Sequence, residues 1–259
     1  MIISVFNLSN DAISDAVMLK TIRAVNIQLE RDFEPHWSFG ATLRLEGHRN
    51  SRKRGGVPYS PLDMRGDAIL YVWNKFSKNY DGLHDRDFGG IPYGAVYLDM
   101  SQGLAEDWSV TLSHEALELV GDPQANLLVQ GRHPTQRGRQ VFHWFEMCDA
   151  VQAQTYEIDS VPVSDFVLPM YFTREAEPGA RNNFLGNYQP DDGEVQSLKS
   201  FSVVRGGYIG YFDPHTGSNR TYDAPNDELA RTRQKIKSVG AGRRMKRLRE
   251  SKFGVVAKS

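Results

Sequence analysis

The segment Ser113–Pro123, SHEALELVGDP, constrains the fold most, because it joins a helical pattern to two signals that end a helix. Apolar residues at three- and four-residue spacing predict a helix over about residues 104–120. Gly121 and Pro123 then end it, because glycine readily closes a helix and proline cannot continue one. The chain is therefore predicted to carry a helix with a sharply defined C-terminal end.

That helix carries the motif H-E-x-x-E, formed by His114, Glu115 and Glu118. Positions i and i+4 share one helix face, so His114 and Glu118 can bind the same ion. Glu115 lies beside them, where a carboxylate can hold a water molecule and accept its proton. Zinc accepts imidazole and carboxylate ligands, and the second carboxylate somewhat favours Mn²⁺ or Ca²⁺. A solvated helix face with charged neighbours is the alternative interpretation.

A second acidic segment, Phe145–Asp149 (FEMCD), supplies candidates for a third ligand. Two acids in an aromatic and apolar run need a partner such as a metal ion or its histidine ligand. We expect Glu146 to be the third ligand and Asp149 to accept a hydrogen bond from the other ring nitrogen of His114, although these roles can be exchanged. Asp122 can also turn back toward the ion, or form an ordinary Asp-Pro turn.

Together the two segments resemble the H-E-x-x-E-x-x-x-D-P … E-x-x-D pattern of a zincin-like metallopeptidase family. This group includes bacterial and archaeal zincins of undefined substrate and the plant EXORDIUM proteins. The matching positions are His114, Glu115, Glu118, Asp122, Pro123, Glu146 and Asp149. Two positions depart from the pattern: Gly121 stands where the family often has threonine, and no cysteine follows Asp149. The resemblance implies a zincin-type fold and one bound divalent metal.

The order of elements favours an α+β (α/β) fold with a mixed twisted sheet, a long backing helix, the motif helix and a strand-rich second half. A long amphipathic helix is predicted over residues 11–33. Strands are predicted over residues 41–47, 67–74 and 93–100. A loop is predicted over residues 127–140.

Beyond the motif helix the pattern changes to short strands. Residues 141–172 are strand-rich, and a hairpin is predicted around Asp159 and Ser160. Two more short strands are predicted to join at Gly206 and Gly207. We therefore expect residues 1–225 to form one zincin-like metal-binding domain with halves at 1–123 and 124–225.

Residues 226–259 are predicted to be a basic C-terminal tail. They hold eleven Lys and Arg against three Asp and Glu, a net charge of +8, which leaves −9 on residues 1–225. Residues 231–252 are expected to contact nucleic acid or an acidic partner through nonspecific electrostatics. A solvating extension is the simpler interpretation of the same charges.

Composition indicates in which cellular compartment the chain is found. No apolar run approaches the ~18 residues of a membrane span. The first residues lack the basic region of a signal peptide, which favours a cytoplasmic or otherwise non-Sec location. The single cysteine, Cys148, leaves no internal disulfide and fits a reducing compartment.

Several other residues are candidates without a specific signal. His84, His133 and His143 can each join a metal site, although isolated histidines are more often surface or core residues. Tyr156 or Tyr171 can stabilise an oxyanion, as tyrosines do in some zincins. Nothing in the sequence selects one of them.

Two functions from different classes follow. The first is a metal-dependent hydrolase, most simply a zinc metallopeptidase acting on peptide or protein substrates, with Glu115 as the general base. The strand over residues 93–100 would hold the peptide by strand addition. The second is a non-catalytic, metal-stabilised structural or assembly protein, associated with a virion or other particle, that uses its basic tail.

Overall fold

The computed structural model describes residues 1–46, 66–75, 91–173, 181–186 and 197–239, with the backbone alone for residues 235–239. The described chain is an α+β protein. It has one four-stranded parallel sheet, one four-stranded antiparallel sheet and a separate hairpin. None of its described helices has the length and apolar composition to cross a membrane.

The parallel sheet is built from the first half of the chain. Its strands are β1 (Ile2–Leu8), β2 (Thr42–Leu45), β3 (Ala68–Trp73) and β4 (Tyr93–Tyr97). They lie in the order β2-β1-β3-β4, and each neighbouring pair is parallel. The sequence predicted a mixed sheet, but parallel neighbours follow from crossover connections such as the helical segment between β1 and β2.

The long backing helix is shorter at its start than predicted. Helix α1 spans Asp15–Ile27 and begins after Ser14, whose hydroxyl accepts a hydrogen bond from Val17 N at 3.3 Å. A π-helix over Gln28–Phe33 continues it, and the short helix α2 follows over Glu34–Trp37. The prediction over residues 11–33 was therefore wrong by four residues at the start, because the capping serine sets the first turn.

Two helices follow the parallel sheet. Helix α3 spans Leu98–Gly103 and α4, which carries the motif, spans Trp108–Gly121. The predicted strand over residues 93–100 ends at Tyr97, and the predicted helix from residue 104 begins four residues later. Both errors have one cause: a separate helical turn, α3, lies between the strand and the motif helix.

The second half forms antiparallel structure. The strands β5 (Leu128–Arg132) and β6 (Gln140–Trp144) pair, as do β7 (Thr155–Ile158) and β8 (Val161–Ser164). The predicted hairpin is confirmed, since Asp159 and Ser160 join β7 to β8 with φ angles of 50° and 58°. Positive φ at both central residues is the geometry of a tight two-residue hairpin turn.

Two predictions in this half were wrong. Residues 128–132 form β5 rather than loop, because they pair with β6 along its whole length. Only one of the two strands expected around Gly206 and Gly207 is present: β9 spans Tyr208–Asp213 and pairs with β10, Ser218–Asp223. The antiparallel order is β10-β9-β6-β5.

The described residues form three apolar clusters. The largest includes residues of the parallel sheet, α1, α4 and the β7–β8 hairpin. The second includes Val151, Tyr171 and Ile209 from the second half. The third lies on the other face of the parallel sheet, on β1 and β3. Helix α5, Glu228–Val239, docks on the body with Ala230 and Arg233 buried. A 3₁₀ turn over Asp149–Val151 lies in this region and carries Asp149 to the motif helix.

Candidate metal centre

Helix α4 has clearly defined ends. The Asp107 carboxylate accepts a hydrogen bond from Ser109 N at 2.8 Å and caps the first turn. At the other end, Asp122 N donates to Glu118 O at 2.8 Å, and Asp122 leaves the helical conformation. His114 and Glu118 therefore lie one turn apart on one face of a regular helix.

Two serine hydroxyls attach α4 to the hairpin strand β8. Ser109 Oγ donates to Pro162 O at 2.6 Å, and Ser113 Oγ accepts a hydrogen bond from Ser164 N at 2.7 Å. The two serines are four residues apart and so belong to one helix face. These side-chain-to-backbone contacts fix how α4 is rotated about its axis, and therefore where the motif residues next to them lie.

Three side chains from two elements meet at His114. Glu118 Oε1 lies 2.9 Å from His114 Nε2, and Asp149 Oδ1 lies 3.4 Å from the same nitrogen. The three side chains are only 3%, 7% and 10% exposed, for His114, Glu118 and Asp149. One ligand atom from each of His114, Glu115 and Glu118 also falls in a group in which all the atoms lie within 4.8 Å of one another.

This donor set fits a divalent metal ion. Glu118 and Asp149 bring two carboxylates to one imidazole nitrogen in a place almost completely removed from water. Neighbouring carboxylates repel each other, and a cation placed between them offsets that repulsion. A divalent ion supplies that positive charge, and one imidazole nitrogen with carboxylate oxygens is a ligand set that zinc accepts.

The other predicted ligands are Glu146 and Asp122. Glu146 is the second residue after the end of β6 and is half-buried. Asp122 is buried at the end of α4, where its Oδ2 accepts a hydrogen bond from Leu127 N at 2.9 Å. Asp122 O also accepts a hydrogen bond from Ala125 N at 2.9 Å, which is the backbone bond of a turn that begins at Asp122 and Pro123. Asp149, which we expected to face the other ring nitrogen of His114, lies at the nitrogen that Glu118 also approaches.

The candidate base, Glu115, lies against β4, the last strand of the parallel sheet in the part of the chain that the structure describes. It is half-buried, and its neighbour across the interface is Gly94 of β4. A Cβ atom at position 94 would lie 3.5 Å from Glu115 Oε2 and 2.7 Å from Leu70 Cδ2. The absence of a side chain at Gly94 therefore lets the helix approach the strand. A lone glycine within an apolar strand signals such a close approach, although sequence reasoning did not use it.

Gly121, near the end of α4, packs closely against the segment that carries Asp149. A Cβ at this position would collide with the side chain of Met147, which is fully buried. Met147 lies two residues before Asp149. Its contact with Gly121 therefore helps to fix where the acidic segment lies along the axis of α4. A larger residue at position 121 would displace that segment.

The two tyrosines considered as oxyanion donors are engaged elsewhere. Tyr171 is buried and donates to Ser202 O at 2.8 Å. Burial raises its pKa, and the nearby charge of Asp149 raises that pKa further. Tyr156 donates to Asp32 Oδ2 at 2.9 Å. Both hydroxyl hydrogens are thus directed at acceptors of the protein itself.

The additional histidines belong to a different part of the molecule or lie outside the described residues. His143 of β6 contacts Arg132 O through Nε2 at 2.8 Å and stacks on Phe201 with ring centroids 4.5 Å apart. His133 Nδ1 accepts hydrogen bonds from two backbone N–H groups at 3.1 Å. His84 is outside the described residues. His133 and His143 are thus built into the antiparallel sheet and its turn.

Fold and site together define an α+β protein with a buried cluster of one histidine and several carboxylates beside the edge of a parallel sheet. The chain matches no protein-family model, no curated protein and no solved structure.

Proposed function

We propose that the chain is a metal-dependent hydrolase of zincin-like type, with a divalent ion held by His114, Glu118 and Asp149. One observation carries this proposal: Glu118 Oε1 and Asp149 Oδ1 both approach His114 Nε2, at 2.9 and 3.4 Å. A metal ion binds one ring nitrogen, so two carboxylates at that nitrogen are placed to share its ion. This assigns to Asp149 the role that the sequence first favoured for Glu146.

Glu115 is the general base of the proposed reaction. Its carboxylate belongs to the same compact group as His114 and Glu118, but it is half-buried, whereas those two are buried. The bound ion would polarise a substrate carbonyl and make a water molecule more acidic. Glu115 holds that water, accepts its proton and passes the proton to the leaving amine.

Zinc is the proposed ion, with Mn²⁺ or Ca²⁺ as alternatives. The set has one nitrogen and at least two carboxylates, and each added carboxylate shifts preference toward harder ions. Zinc retains an advantage because imidazole is among its usual ligands. The order of affinities can be measured by loading the metal-free chain with each ion in turn.

A peptide is the proposed substrate, because β4 stands at the edge of the described sheet beside Glu115. The outer side of an edge strand presents backbone N–H and C=O groups that can pair with an extended chain. Gly94 places this edge within contact distance of the base. A peptide that adds to β4 would thus run past the metal.

Replacing Glu115 by Gln tests the mechanism. The variant keeps the shape of the side chain but cannot accept a proton, so hydrolysis of a peptide mixture should fall by at least about 100-fold. Metal content, measured by elemental analysis, should not change. Glu157→Gln, which alters an exposed glutamate of β7, is the matched control. Undiminished hydrolysis by Glu115→Gln would remove Glu115 from the mechanism.

A second candidate function is supported by the charge of the C-terminal segment. Residues 235–259 carry nine Lys and Arg against one Glu. Arg231 and Arg233, by contrast, form ion pairs within the fold, with Asp223 and Glu106. We propose in this case a metal-stabilised assembly protein that binds nucleic acid through residues 235–259, a segment that begins in the last part of α5. Residues 240–252 of the predicted contact segment lie outside the described residues.

Truncation after Gln234 tests this second function. The shortened chain should lose binding to double-stranded DNA, and the full chain should bind it with an affinity that falls steeply with salt. Each phosphate contact contributes about −0.9 to the slope of log affinity against log salt concentration. Equal DNA binding by the two chains would rule out the segment as the binding element.

A further inference from the structure

One arginine of helix α5, Arg233, joins two segments that lie far apart in the chain. Its Nη2 atom lies 3.3 Å from Glu106 Oε1, in the segment between α3 and α4. Its Nη1 atom donates a hydrogen bond to Gly206 O at 3.4 Å, in the turn that precedes β9. The Arg233 and Glu106 side chains are 7% and 8% exposed. Because water is nearly excluded, these contacts are stronger than they would be at the surface.

The first segment leads to the helix that carries His114. Glu106 directly precedes Asp107, whose carboxylate caps the first turn of α4 by accepting a hydrogen bond from Ser109 N at 2.8 Å. His114 lies about two turns further along this helix. The contact between Arg233 and Glu106 therefore fixes the start of α4 relative to α5, and with it the position of His114 along the helix axis.

The second segment leads to Asp149. Gly207, in the turn before β9, packs against the 3₁₀ turn that begins at Asp149, since a Cβ atom at position 207 would collide with Ala150 O and lie 3.0 Å from Asp149 O. Val204 N also donates a hydrogen bond to Ala150 O at 3.0 Å. The turn before β9 thus supports the backbone of Asp149, whose side chain reaches His114 Nε2 at 3.4 Å.

Helix α5 binds this turn at both backbone groups of Gly206. Asp227 Oδ2 accepts a hydrogen bond from Gly206 N at 2.6 Å, and Asp227 Oδ1 accepts one from Ala230 N at 3.0 Å in the first turn of α5. Arg233 binds the carbonyl oxygen of the same glycine. Gly206 has a φ angle of 82°, and a Cβ atom there would lie 2.8 Å from Arg233 Nη1, so glycine is needed for this approach. Helix α5 and the turn before β9 are therefore held together as one unit.

We infer that Arg233 is a positioning residue for the candidate metal centre, and that docking of α5 on the body is coupled to metal binding. The inference rests on the proposed metal-dependent function, because it needs an ion at His114. The contact with Glu106 fixes the helix that carries His114. The contact with Gly206 fixes the turn that supports Asp149. Arg233 thus sets the distance between the two segments whose side chains meet at one imidazole nitrogen.

The size of the coupling follows from the behaviour of other metal sites. Loss of a residue that orients a metal ligand typically weakens metal affinity by about 10- to 100-fold. Arg233 acts through one further contact, so we expect the lower end of that range, about tenfold. Coupling between two equilibria is reciprocal, so a bound ion should stabilise the docked helix by the same factor.

The zinc affinity of the full-length chain, measured by competition with a chelator, tests the inference. Arg233→Met should bind zinc about tenfold more weakly than the parent chain. Arg231→Met is the matched control, since it removes an exposed arginine of the same helix, and it should bind zinc as the parent does. Circular dichroism before each titration establishes that the chain is folded, because a variant that is only less stable keeps its affinity while it stays folded. If Arg233→Met does not fold, Glu106→Gln takes its place and should bind zinc severalfold more weakly than the parent.

Hydrogen exchange of the α5 backbone amides measures the reverse effect. Loading the parent chain with zinc should slow exchange in α5 by about tenfold, because the ion favours the docked helix. The same loading should leave exchange in α5 nearly unchanged in Arg233→Met, or in Glu106→Gln if that variant is used. His114→Ala, which removes the imidazole ligand, should abolish the effect of zinc on α5.

The outcomes separate this inference from the proposed function. Equal zinc affinity of the parent and Arg233→Met, or of the parent and the replacement variant, overturns the positioning role and leaves the metal centre in place. Exchange in α5 that does not depend on zinc overturns the coupling in the same way. If the parent binds neither zinc, Mn²⁺ nor Ca²⁺, or if His114→Ala binds zinc as tightly as the parent, the proposed metal centre is overturned and the inference with it.

Discussion

Gly94 of β4 and Glu115 of α4 meet where the motif helix packs on the parallel sheet, and a Cβ atom on Gly94 would lie 3.5 Å from Glu115 Oε2. The helix can approach the strand this closely because position 94 has no side chain. The position of Glu115, the candidate base, therefore depends on how closely α4 packs on β4, the strand proposed to bind the substrate.

Gly94→Ala should therefore reduce both stability and turnover. The new methyl group would lie 2.7 Å from Leu70 Cδ2, and Leu70 is fully buried. Such overpacking costs about 1–3 kcal/mol of unfolding free energy. Displacement of Glu115 should lower kcat/KM by about 10- to 100-fold. Chemical denaturation and peptide hydrolysis measure the two effects.

Gly103→Ala is the control for this substitution. Among the described residues, and apart from the chain neighbours and the backbone of its own helix, no atom lies within 4 Å of a Cβ at position 103, which is at the end of α3. Its stability should change by less than about 1 kcal/mol, since the change is limited to backbone propensity. If Gly94→Ala behaved like Gly103→Ala, the strand would not constrain the base.

Asp149→Asn and Glu146→Gln together identify the third ligand. Asp149 lies 3.4 Å from His114 Nε2, so its loss should weaken zinc binding by more than about 100-fold, beyond the 10- to 100-fold typical of residues that only orient a ligand. Glu146→Gln should have the smaller effect. Titration against a competing chelator measures both. Loss of zinc in Glu146→Gln, with tight binding kept in Asp149→Asn, would restore Glu146 as the ligand.

His143 should make the protein less stable as the pH falls below about 6.5. Burial lowers the pKa of this histidine to about 4, against a hydrogen bond to Arg132 O that acts in the opposite direction. The unfolded chain takes up the proton near pH 6.5 and the folded chain near pH 4, so the contribution is complete above pH 6.5 and lost toward pH 4. The loss amounts to about 3 kcal/mol.

The difference between His143→Gln and the parent chain isolates this effect. Burial raises the pKa of Asp165 to about 6. This group makes the folded protein more stable, not less, as the pH falls below about 6, but its contribution is the same in the parent chain and the variant. Denaturation curves at pH 4.5 and 7.5 should show a smaller pH effect in the variant. His36→Gln, at an exposed histidine, is the control. An equal pH effect in parent and variant would contradict the assignment.

The buried ion pair between Arg233 and Glu106 should hold α5 to the body. Arg233 Nη2 lies 3.3 Å from Glu106 Oε1, and the two side chains are 7% and 8% exposed. Arg233→Met leaves Glu106 buried without this cation and should cost about 3–5 kcal/mol. Arg231→Met, at an exposed pair with Asp223, should cost at most about 1 kcal/mol.

A double replacement separates charge from packing in this contact. Because no charge remains buried, Glu106→Leu with Arg233→Met should recover part of the stability lost in Arg233→Met alone. Urea denaturation of Glu106→Leu, Arg233→Met and the double variant provides the comparison. A double variant as unstable as the sum of the two single variants would show that the charges are not coupled.

Local patterns were sufficient where short-range physics decides the structure. The hairpin at Asp159 and Ser160 could be predicted because two turn residues separate two β-prone segments. The motif helix could be predicted because its period and its end signals agree. The start of α4 could not be predicted. The preceding helix α3 has only six residues, and nothing in the spacing of the apolar residues separates it from the strand before it or from α4 after it.

Other elements depended on distant partners. Residues 128–132 contain Gly131 and exposed polar residues, and they form a strand only because β6 pairs with them. β4 is parallel to its neighbour β3, and the sequence of β4 alone does not contain that direction. Pairing energy and crossover geometry act between segments, so no window of local sequence contains them.

By itself, the sequence determined that His114, Glu115 and Glu118 are neighbours, because the 3.6-residue period of a helix brings i and i+4 together. Only the tertiary structure decided which distant groups join them. Asp149 reaches His114 Nε2 because Met147 packs on Gly121 and a 3₁₀ turn follows, and Gly94 lies against Glu115 because α4 packs on β4. Those contacts depend on the packing of whole elements, which no local spacing specifies.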